Sequence, residues 1–482
     1  MMGIEFILIV IPALFAGYSF FFRYFRTDRI VLVVCAVIHL TLTMLLSQKT
    51  VPTEGVMFGI DSLSFVFLLI LSVLFLATAV YSIDFIRQMH ESGHYNVLYV
   101  PALLLFLAAM TGVIVSRNLG LIWVFIEATT LASATLIYHY KTKESLEAVW
   151  KYLFICSIGI ALAFIAVILM LEASRSIKGI GLNVDMLIKN ANSLSPLWLT
   201  IAFVFALIGY GTKMGLAPMH TWLPDAHSQA PSPASALFSG ALLNCAFLAI
   251  LRYYQIIVNT DMGQFARTLF LVLGLFSIFL SSVYVYRIVN YKRKLAYSSI
   301  EHVGILATGI GLGGFAIYAA MLHAICHSLA KHLMFLNAGN IFHAYKTINI
   351  KNIHGAYRSL PSTAWLIMIG TIALLGFPPF GTFISKFLIL EQMIVNGRWV
   401  TMVVFILLVT VISYGLLKAA IQMAFLSEKD AEGHTVEKEH MTTLLPQWFF
   451  LGLLLCLGLY IPQWLNNLLY NAAALLLGKG GV

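Results

Sequence analysis

Long apolar segments recur along the whole chain of 482 residues, and short polar stretches separate them. Each segment has about 20 residues, which is long enough to cross the hydrocarbon core of a bilayer as a helix. The segments are continuous rather than alternating, so they do not fit a transmembrane β-barrel. The pattern predicts an all-α polytopic membrane protein with about 14 transmembrane helices. The predicted limits are 3–22, 30–48, 62–85, 95–115, 118–139, 146–171, 196–215, 232–254, 264–289, 295–315, 316–343, 362–394, 399–426 and 446–471.

The basic residues between the apolar segments predict the orientation. The loops that follow odd-numbered spans, with the adjoining span ends, contain fifteen Lys and Arg residues. The loops that follow even-numbered spans contain nine. Because cytoplasmic loops are enriched in Lys and Arg, we expect both termini on the outer, periplasmic side of a prokaryotic cell membrane. The formal net charge of +9 is explained in this way by topology, and no nucleic-acid partner is expected.

Composition agrees with this interpretation and limits the chemistry. The chain is 60% hydrophobic and 10% charged, whereas soluble domains have about 25% charged residues. The five cysteines all lie within apolar segments, which is typical of buried small side chains rather than of disulfides or metal ligands. No GxGxxG, Walker loop, CxxC pair or HExxH is present in the sequence. We therefore expect no metal or cofactor on this chain, and any redox chemistry would take place on another subunit.

Five lysines fall inside the predicted spans: Lys151, Lys213, Lys331, Lys386 and Lys418. Charged residues at membrane depth are costly and usually mark ion paths. Lys418 lies near the end of its span and is interpreted as reaching the membrane surface. For Lys151, surface and pathway roles both remain open.

Glu127 lies near the middle of its span, and Thr130 follows on the same helical face. We interpret Glu127 and Lys213 as partners that each favour the other's charged form. Such a pair can pass a proton when the two groups move apart. The alternative is a structural ion pair that fixes helix packing.

His323, His327 and Lys331 are spaced at i, i+4 and i+8, so they share one face of a helix. We interpret this face as a proton relay, because histidine titrates near neutral pH and has two exchangeable nitrogens. Two alternatives remain. One is a zinc site, although neither cysteine nor carboxylate accompanies the histidines, and the other is a pair of core histidines with satisfied hydrogen bonds.

Glycine and proline interrupt two of the predicted spans, each beside a lysine. Gly211 and Pro218 flank Lys213, while Pro378 and Pro379 precede Lys386. Proline cannot continue a helix, and broken backbone at membrane depth is tolerated only where protein or water satisfies it. Paired interrupted helices are typical of inverted-repeat transporters.

Several long motifs resemble one family, the antiporter-like proton-translocating subunits. These subunits are shared by respiratory complex I, Mrp-type antiporters and energy-converting membrane hydrogenases. The segments VFIEATTLASATLIYH, KESLEAVWKYLFICSIGI and GALLNCAFLAILR are most similar to subunits of the hydrogenase-4 and formate-hydrogenlyase type. The family motifs are IDSLSF at 60–65, KMGLAPMHTWLPDAHSQAPSPASALFSG at 213–240, KRKLAYSSIEHVG at 292–304, HAICHSLAKHLMFLNAGNIFH at 323–343 and GFPPFGTFISK at 376–386.

The resemblance implies an organisation of two inverted five-helix repeats, each with one broken helix. Helices 1 to 3 would occupy residues 1–95, the first repeat 96–255 and the second repeat 256–426. A cytoplasmic loop and a fourteenth helix would occupy 427–482.

The resemblance also implies roles for single residues. Glu127 and Lys213 match the pair of the first half-channel, with Lys151 in contact range of them. Lys331, with His323 and His327, matches a central relay, and Lys386 matches the lysine of the second half-channel, at the outer exit. Many relatives have a lysine or histidine where this chain has Asn244, which can orient water but cannot store a proton.

From this resemblance we expect a proton-translocating subunit of a multi-subunit membrane oxidoreductase, embedded in the lipid bilayer. Its partners would be other membrane subunits and a peripheral redox arm that carries Ni–Fe and iron–sulfur centres or flavin. Three alternatives remain: an Mrp-type Na⁺/H⁺ antiporter subunit without a redox partner, a scaffold without transport, and a subunit coupled to inorganic-carbon uptake.

Overall fold

The computed structural model describes residues 3–22, 24–47, 56–93, 95–177, 179–426 and 439–478. Most of the predicted cytoplasmic loop and six of the basic residues counted above lie outside these ranges. Within them the regular structure is helical, with only three isolated β-bridges. The helices are α1 (Ile4–Phe22), α2 (Phe25–Leu46), α3 (Ser62–Glu91), α4 (Tyr99–Val115), α5 (Leu119–Ile137), α6 (Lys143–Ala173), α7 (Val184–Lys189), α8 (Pro196–Met214), α9 (Trp222–Gln229), α10 (Ser232–Leu237), α11 (Leu243–Ile257), α12 (Gly263–Val285), α13 (Tyr291–Leu312), α14 (Phe315–Tyr345), α15 (Ala356–Ser359), α16 (Pro361–Leu375), α17 (Gly381–Val395), α18 (Trp399–Phe425), α19 (Met441–Leu459) and α20 (Gln463–Leu477).

The prediction of an all-α polytopic membrane protein is confirmed. Among the described residues, 11 helices are long and apolar enough to cross a membrane, with α10 and α11 counted as one span, Ser232–Ile257. Three further crossings complete the expected set: the shorter α4, the pair α16 and α17, and α13, whose first turn carries Lys292, Arg293 and Lys294. The last predicted span, 446–471, is divided between α19 and α20 at Pro462, because proline cannot continue the helix.

Polar side chains fix where several helices begin. Asp61 accepts a hydrogen bond from the Ser64 amide at the start of α3, and Asn118 accepts one from Gly120 at the start of α5. Thr142 caps α6 in the same way. Such caps satisfy amides that have no partner within the helix.

The bundle has two ends that differ in charge. At one, which we call the basic end, α3, α14 and α18 end, and α13, α16 and α19 begin. There Arg87 contacts His440 and the Gly355 amide donates to the carbonyl of Leu426. Both described ends of the chain lie at the other end, which we call the opposite end, because Phe6 contacts the Phe58 ring and α20 finishes beside α11.

A buried ion cluster ties the helices together at the opposite end. Arg117 Nη1 lies 2.8 Å from Asp61 Oδ2, and Arg252 Nη1 lies 2.7 Å from the same oxygen. Arg117 Nε also donates to Asp185 over 3.0 Å. Burial works against the ionised carboxyl, but the two guanidinium groups hold the pKa of Asp61 well below its usual range. The cluster joins α3, the α4–α5 loop, α7 and α11.

The two predicted helix breaks are present and share one pattern. In each, a glycine with positive φ follows the first half-helix and stands three residues before a proline: Gly215 (φ +82°) before Pro218, and Gly376 (φ +79°) before Pro379. The first break begins later than the sequence predicts, because Gly211 lies in the last turn of α8. Its carbonyl accepts a hydrogen bond of 2.8 Å from the Leu216 amide, which satisfies the backbone at this depth.

Helices α11 and α14 form the centre of the bundle. The most apolar stretches of the α10–α11 span and of α14 are fully buried within the protein, whereas only 22% of the corresponding stretch of α18 is buried.

Candidate ion pathway through the membrane

Lys213 is fully buried near the end of α8, in a cage of hydroxyl groups. Its Nζ donates to Thr130 Oγ1 over 2.9 Å and to the hydroxyl of Tyr152. The ring centroids of Tyr152 and Trp222 lie 4.6 and 6.0 Å from the same nitrogen. The ammonium group is therefore held by neutral oxygens and aromatic rings from α5, α6 and α9.

Glu127 does not form the direct contact with Lys213 that the sequence suggested. Among the described residues no hydrogen bond or ion pair joins it to another side chain, and its Oε2 is buried without a partner. Thr130, one turn further along α5, occupies the position beside Lys213 instead. Residues three apart on a helix are neighbours, so Glu127 lies one turn from the hydroxyl that binds Lys213.

Lys151 lies apart from this cage, contrary to the expected contact. Its side chain is 48% exposed and pairs with Glu147 at 2.6 Å and Asp225 at 3.3 Å. Asp225 in turn binds Arg293 at 2.5 Å. The geometry therefore favours a surface role for Lys151 over a role in the pathway. The α6 side chain that contacts Lys213 is that of the next residue, Tyr152.

Asn244 connects two central helices. Its Nδ2 donates to the Gly240 carbonyl over 2.8 Å and to Ser328 Oγ on α14 over 2.7 Å. The amide therefore holds α11 against α14. Nearby, His227 is fully buried, stacks on Phe335 with centroids 4.7 Å apart, and has no hydrogen-bond partner on either ring nitrogen among the described residues.

Lys331 and the two predicted relay histidines do lie on one buried face of α14. Lys331 Nζ donates to the Leu295 carbonyl over 2.7 Å and to the hydroxyl of Ser298, both on α13. His323 Nδ1 shares a hydrogen bond of 2.8 Å with Ser385 Oγ on α17. His327 is fully buried, and neither of its ring nitrogens has a partner among the described residues.

A third histidine, which the sequence reasoning missed, completes this cluster. His302 Nδ1 lies 2.9 Å from His323 Nε2, and its ring stacks on His327 with centroids 4.8 Å apart. Ser385, His323 and His302 therefore form a hydrogen-bonded chain between α17 and α13. Within the described ranges, no group of three or more His, Cys, Asp and Glu side chains has an arrangement that could hold a metal ion.

Lys386 follows the second helix break and has an acidic partner. Its Nζ lies 3.1 Å from Glu301 Oε1 and also donates to the Leu375 carbonyl over 3.1 Å. The side chains are 7% and 1% exposed. Glu301 and His302 are consecutive on α13, so this ion pair adjoins the three-histidine cluster.

Glu301 was missed, although the signal that identified Glu127 applies to it as well. It is an acid inside a helix that crosses the bundle, in the motif SSIEHVG. Tyr152 and Thr130 carried no such signal, because hydroxyl groups are common in membrane helices and only the rotation of α5 and α6 places them beside Lys213.

The fold and the buried charges together define a class: a multi-helix membrane protein with a row of lysines and histidines across its middle and two broken helices. The family model described as "NADH:quinone oxidoreductase/Mrp antiporter, TM" matches residues 116–413. The chain belongs to this family.

Relatives with descriptive names share long alignments with the chain. A protein named hydrogenase-4 component F homolog, from Methylacidiphilum infernorum, is 35% identical over 87% of this chain and 88% of its own length. Hydrogenase-4 component B of Escherichia coli is 31% identical over 68% of this chain and 49% of its own length. One Na(+)/H(+) antiporter subunit of Alkalihalophilus pseudofirmus is 32% identical over 70% of this chain and 43% of its own length.

Three solved assemblies contain chains with the same fold. The membrane-bound sulfane sulfur reductase, an archaeal respiratory membrane complex, has a chain with a TM-score of 0.88 and 22% identity, covering 98% of each chain. A chain of the Mrp complex from Dietzia sp. has a TM-score of 0.84 and 19% identity, covering 99% of this chain and 98% of that one. A chain of respiratory complex I from Thermus thermophilus has a TM-score of 0.82 and 22% identity, covering 98% and 100%.

Proposed function

We propose that this chain is a proton-translocating, antiporter-like subunit of a membrane oxidoreductase. The observation that carries the proposal is the row of buried lysines, Lys213, Lys331 and Lys386, each hydrogen-bonded to groups that can exchange or orient a proton. Buried cations in a membrane protein are expensive and are typical of ion paths. The best-supported rival within transport is exchange of sodium ions.

The proposed route has a second half of titratable groups on adjoining helices and a middle with fewer of them. Thr130 and Tyr152 bind Lys213 at the first break, and Glu127 lies one turn from Thr130 on α5. From Lys331 the route continues through the histidine cluster to Ser385 and the Lys386–Glu301 pair. Between Lys213 and Lys331, Asn244 orients water and the unpartnered His227 supplies a titratable group. Protons would enter at the basic end, assigned to the cytoplasm, and leave at the opposite end, where both termini would lie.

The partners are proposed from the relatives. Proteins named as hydrogenase-4 components match this chain at 31–35% identity, so the complex would include further membrane subunits and a peripheral arm of the hydrogenase type. That arm would carry the Ni–Fe and iron–sulfur centres or flavin, and its electron transfer would drive the protons. The location would be a prokaryotic cell membrane.

The two inverted repeats are also a proposal. The equal spacing of Gly215 and Pro218 in one break, and of Gly376 and Pro379 in the other, supports it. So does the placement of a lysine beside each break. The proposed boundaries remain 96–255 and 256–426.

Proton transport fits the buried groups better than exchange of sodium ions. Hard cations are bound by clusters of oxygen ligands, whereas this axis consists mainly of lysine and histidine nitrogens. A charged lysine also repels a neighbouring cation strongly where the dielectric constant is low. Because some relatives are named Na(+)/H(+) antiporter subunits, the test must also show whether transport depends on Na⁺.

The test is proton uptake by the intact complex in sealed vesicles, expressed per electron transferred. Lys213→Met is expected to lower this ratio, because a methionine side chain can neither hold a proton nor pass it on. Lys418→Met is the matched control, since Lys418 is exposed on α18 and its Nζ lies over the rings of Tyr286 and Tyr414.

Full coupling in Lys213→Met would contradict a route through Lys213, and full coupling in both Lys213→Met and Lys331→Met would favour a scaffold without transport. A ratio that depends on external Na⁺ would favour exchange of sodium ions. Sodium-dependent exchange without any redox partner would favour the Mrp-type role.

A further inference from the structure

A polar cavity of about 350 Å³ opens at the basic end of the bundle. It lies where α3 and α14 end and where α16 and α19 begin. Its lining includes Tyr81, Arg87, Asn340, Thr363 and Thr443. This cavity is far from the first helix break, so the route through Lys213 does not use it.

The floor of the cavity continues into the bundle as a chain of amide groups. Asn337 Nδ2 donates to the Thr363 carbonyl over 3.1 Å and to Gln447 Oε1 over 3.0 Å. Gln447 Nε2 donates to the Thr443 carbonyl over 2.8 Å. Asn337 lies eight residues before Tyr345, the end of α14, which is about 12 Å along the helix at 1.5 Å per residue.

A second, smaller cavity adjoins Asn337 and extends to Tyr291 and Lys294 at the start of α13. Its volume is about 30 Å³, and Asn337, Leu295, Met334, Ile367 and Thr371 contribute to its lining. This space is sufficient for one or two water molecules. Asn337 is 1% exposed, and its Oδ1 has no hydrogen-bond partner among the described residues. A buried amide oxygen without a partner is a position where water is expected.

The smaller cavity is lined by a residue that binds the central lysine. Leu295, which lines it, is the residue whose carbonyl accepts the hydrogen bond from Lys331 Nζ. The large cavity, the amides of Asn337 and Gln447, and the small cavity therefore form one series of adjoining groups and spaces that extends from the basic end to Leu295.

We propose that this series is a second water-filled inlet, which brings protons from the basic end directly to Lys331. Asn337 divides the two cavities and forms the gate. The apolar walls at Met334 and Ile367 would let the inner cavity alternate between dry and wet, as apolar constrictions in channels do. Such an inlet supplies Lys331 without a proton passing Asn244. Its role in transport rests on the proposed function, but its access to water does not.

Access is tested by cysteine labelling in the intact complex, after the native cysteines of this chain are replaced by alanine. Asn337→Cys and Gln447→Cys are exposed to a charged, membrane-impermeant thiol reagent from each side of the membrane. Trp448→Cys is the control, because Trp448 follows Gln447 on α19 but lies on the outer apolar surface. Both inlet variants should react about tenfold faster than the control, and only from the basic end, since a charged reagent enters water but not lipid.

If neither inlet variant reacts faster than Trp448→Cys, or if labelling occurs from the opposite end, the inlet does not exist. Asn337→Leu then tests transport, and should lower protons per electron while electron transfer continues, with the route through Lys213 as the remaining supply of Lys331. Full coupling in this variant would overturn the role in transport. The labelling result is independent of pumping, so it stands even if Lys331→Met disproves the proposed function.

Discussion

Removal of the negative charge at Glu301 is a demanding test of the buried ion pair beside the second helix break. Glu301→Gln keeps the shape of the side chain and an amide oxygen that can still accept from Lys386 Nζ, but it removes the negative charge that balances the ammonium group. Because both side chains of the pair are at most 7% exposed, water cannot compensate for the lost charge. Breaking a buried ion pair on one side costs about 3–5 kcal/mol.

This cost should appear as a lower thermal midpoint of the purified complex. For a chain of this size, about 1–2 °C per kcal/mol gives a decrease of roughly 3–10 °C. A thiol-reactive fluorescent dye is a suitable probe, since Cys35, Cys156, Cys245 and Cys326 are buried and react only on unfolding. Glu391→Gln is the control, because Glu391 is exposed on α17.

Equal midpoints for Glu301→Gln and Glu391→Gln would refute the reasoning. They would mean that Lys386 is neutral in the folded protein, or that water reaches it. In either case the pair would not be a charged partner of the histidine cluster.

Two further predictions concern stability at the second helix break and at the buried ion cluster of Asp61. Gly458→Ala should lower the thermal midpoint and the yield of assembled complex, because an added Cβ would lie 1.8 Å from the Pro379 carbonyl oxygen. Gly452→Ala is the control and should be neutral, because a Cβ added there meets nothing within 4 Å. Asp61→Asn should destabilise the cluster around Arg252, and the difference from the parent should be constant at neutral pH. Since the pKa of Asp61 in the folded state lies below the unfolded value, that difference should shrink as the pH falls below about 4, where the unfolded carboxyl takes up its proton. Thermal midpoints measured from pH 3 to 8 check both predictions, and a difference that grows towards acid pH would contradict the second.

The sequence predicted those parts of the fold that depend on local chemistry. Continuous apolar runs located the crossings, and the glycine and proline clusters located both breaks, since these residues act on their own backbone. The same reasoning overlooked Pro462, where the last crossing divides into α19 and α20. That break lies at the end of a strongly apolar run, so hydropathy alone gave no sign of it.

The site was predicted residue by residue but not contact by contact. Burial of Lys213, Lys331 and Lys386 followed from the cost of a charge in hydrocarbon. Which oxygen each lysine contacts depends on how the helices are rotated about their axes. A nearly uniform apolar segment has no periodicity from which this rotation can be predicted. For that reason Lys213 binds Thr130 and Tyr152 rather than the expected partner Glu127.

Asn244 shows a different limit of sequence reasoning. In the sequence, Asn244 suggested an interruption of the relay, because an amide cannot store a proton. In the structure its amide donates to Ser328 and Gly240 and joins two central helices. Whether a polar residue passes protons or holds helices together depends on its hydrogen-bond partners. One partner of Asn244, Ser328, lies 84 residues away in the chain.

Lys331 gives the most direct test of the central claim, because both proposed routes reach it. The measurement is the number of protons taken up per electron by vesicles that contain the intact complex with Lys331→Met. The account predicts that electron transfer continues while proton uptake falls to the level of vesicles made permeable to protons, with Lys418→Met unchanged. Proton uptake at the parent ratio in Lys331→Met would contradict the claim that the buried lysines of this chain carry protons.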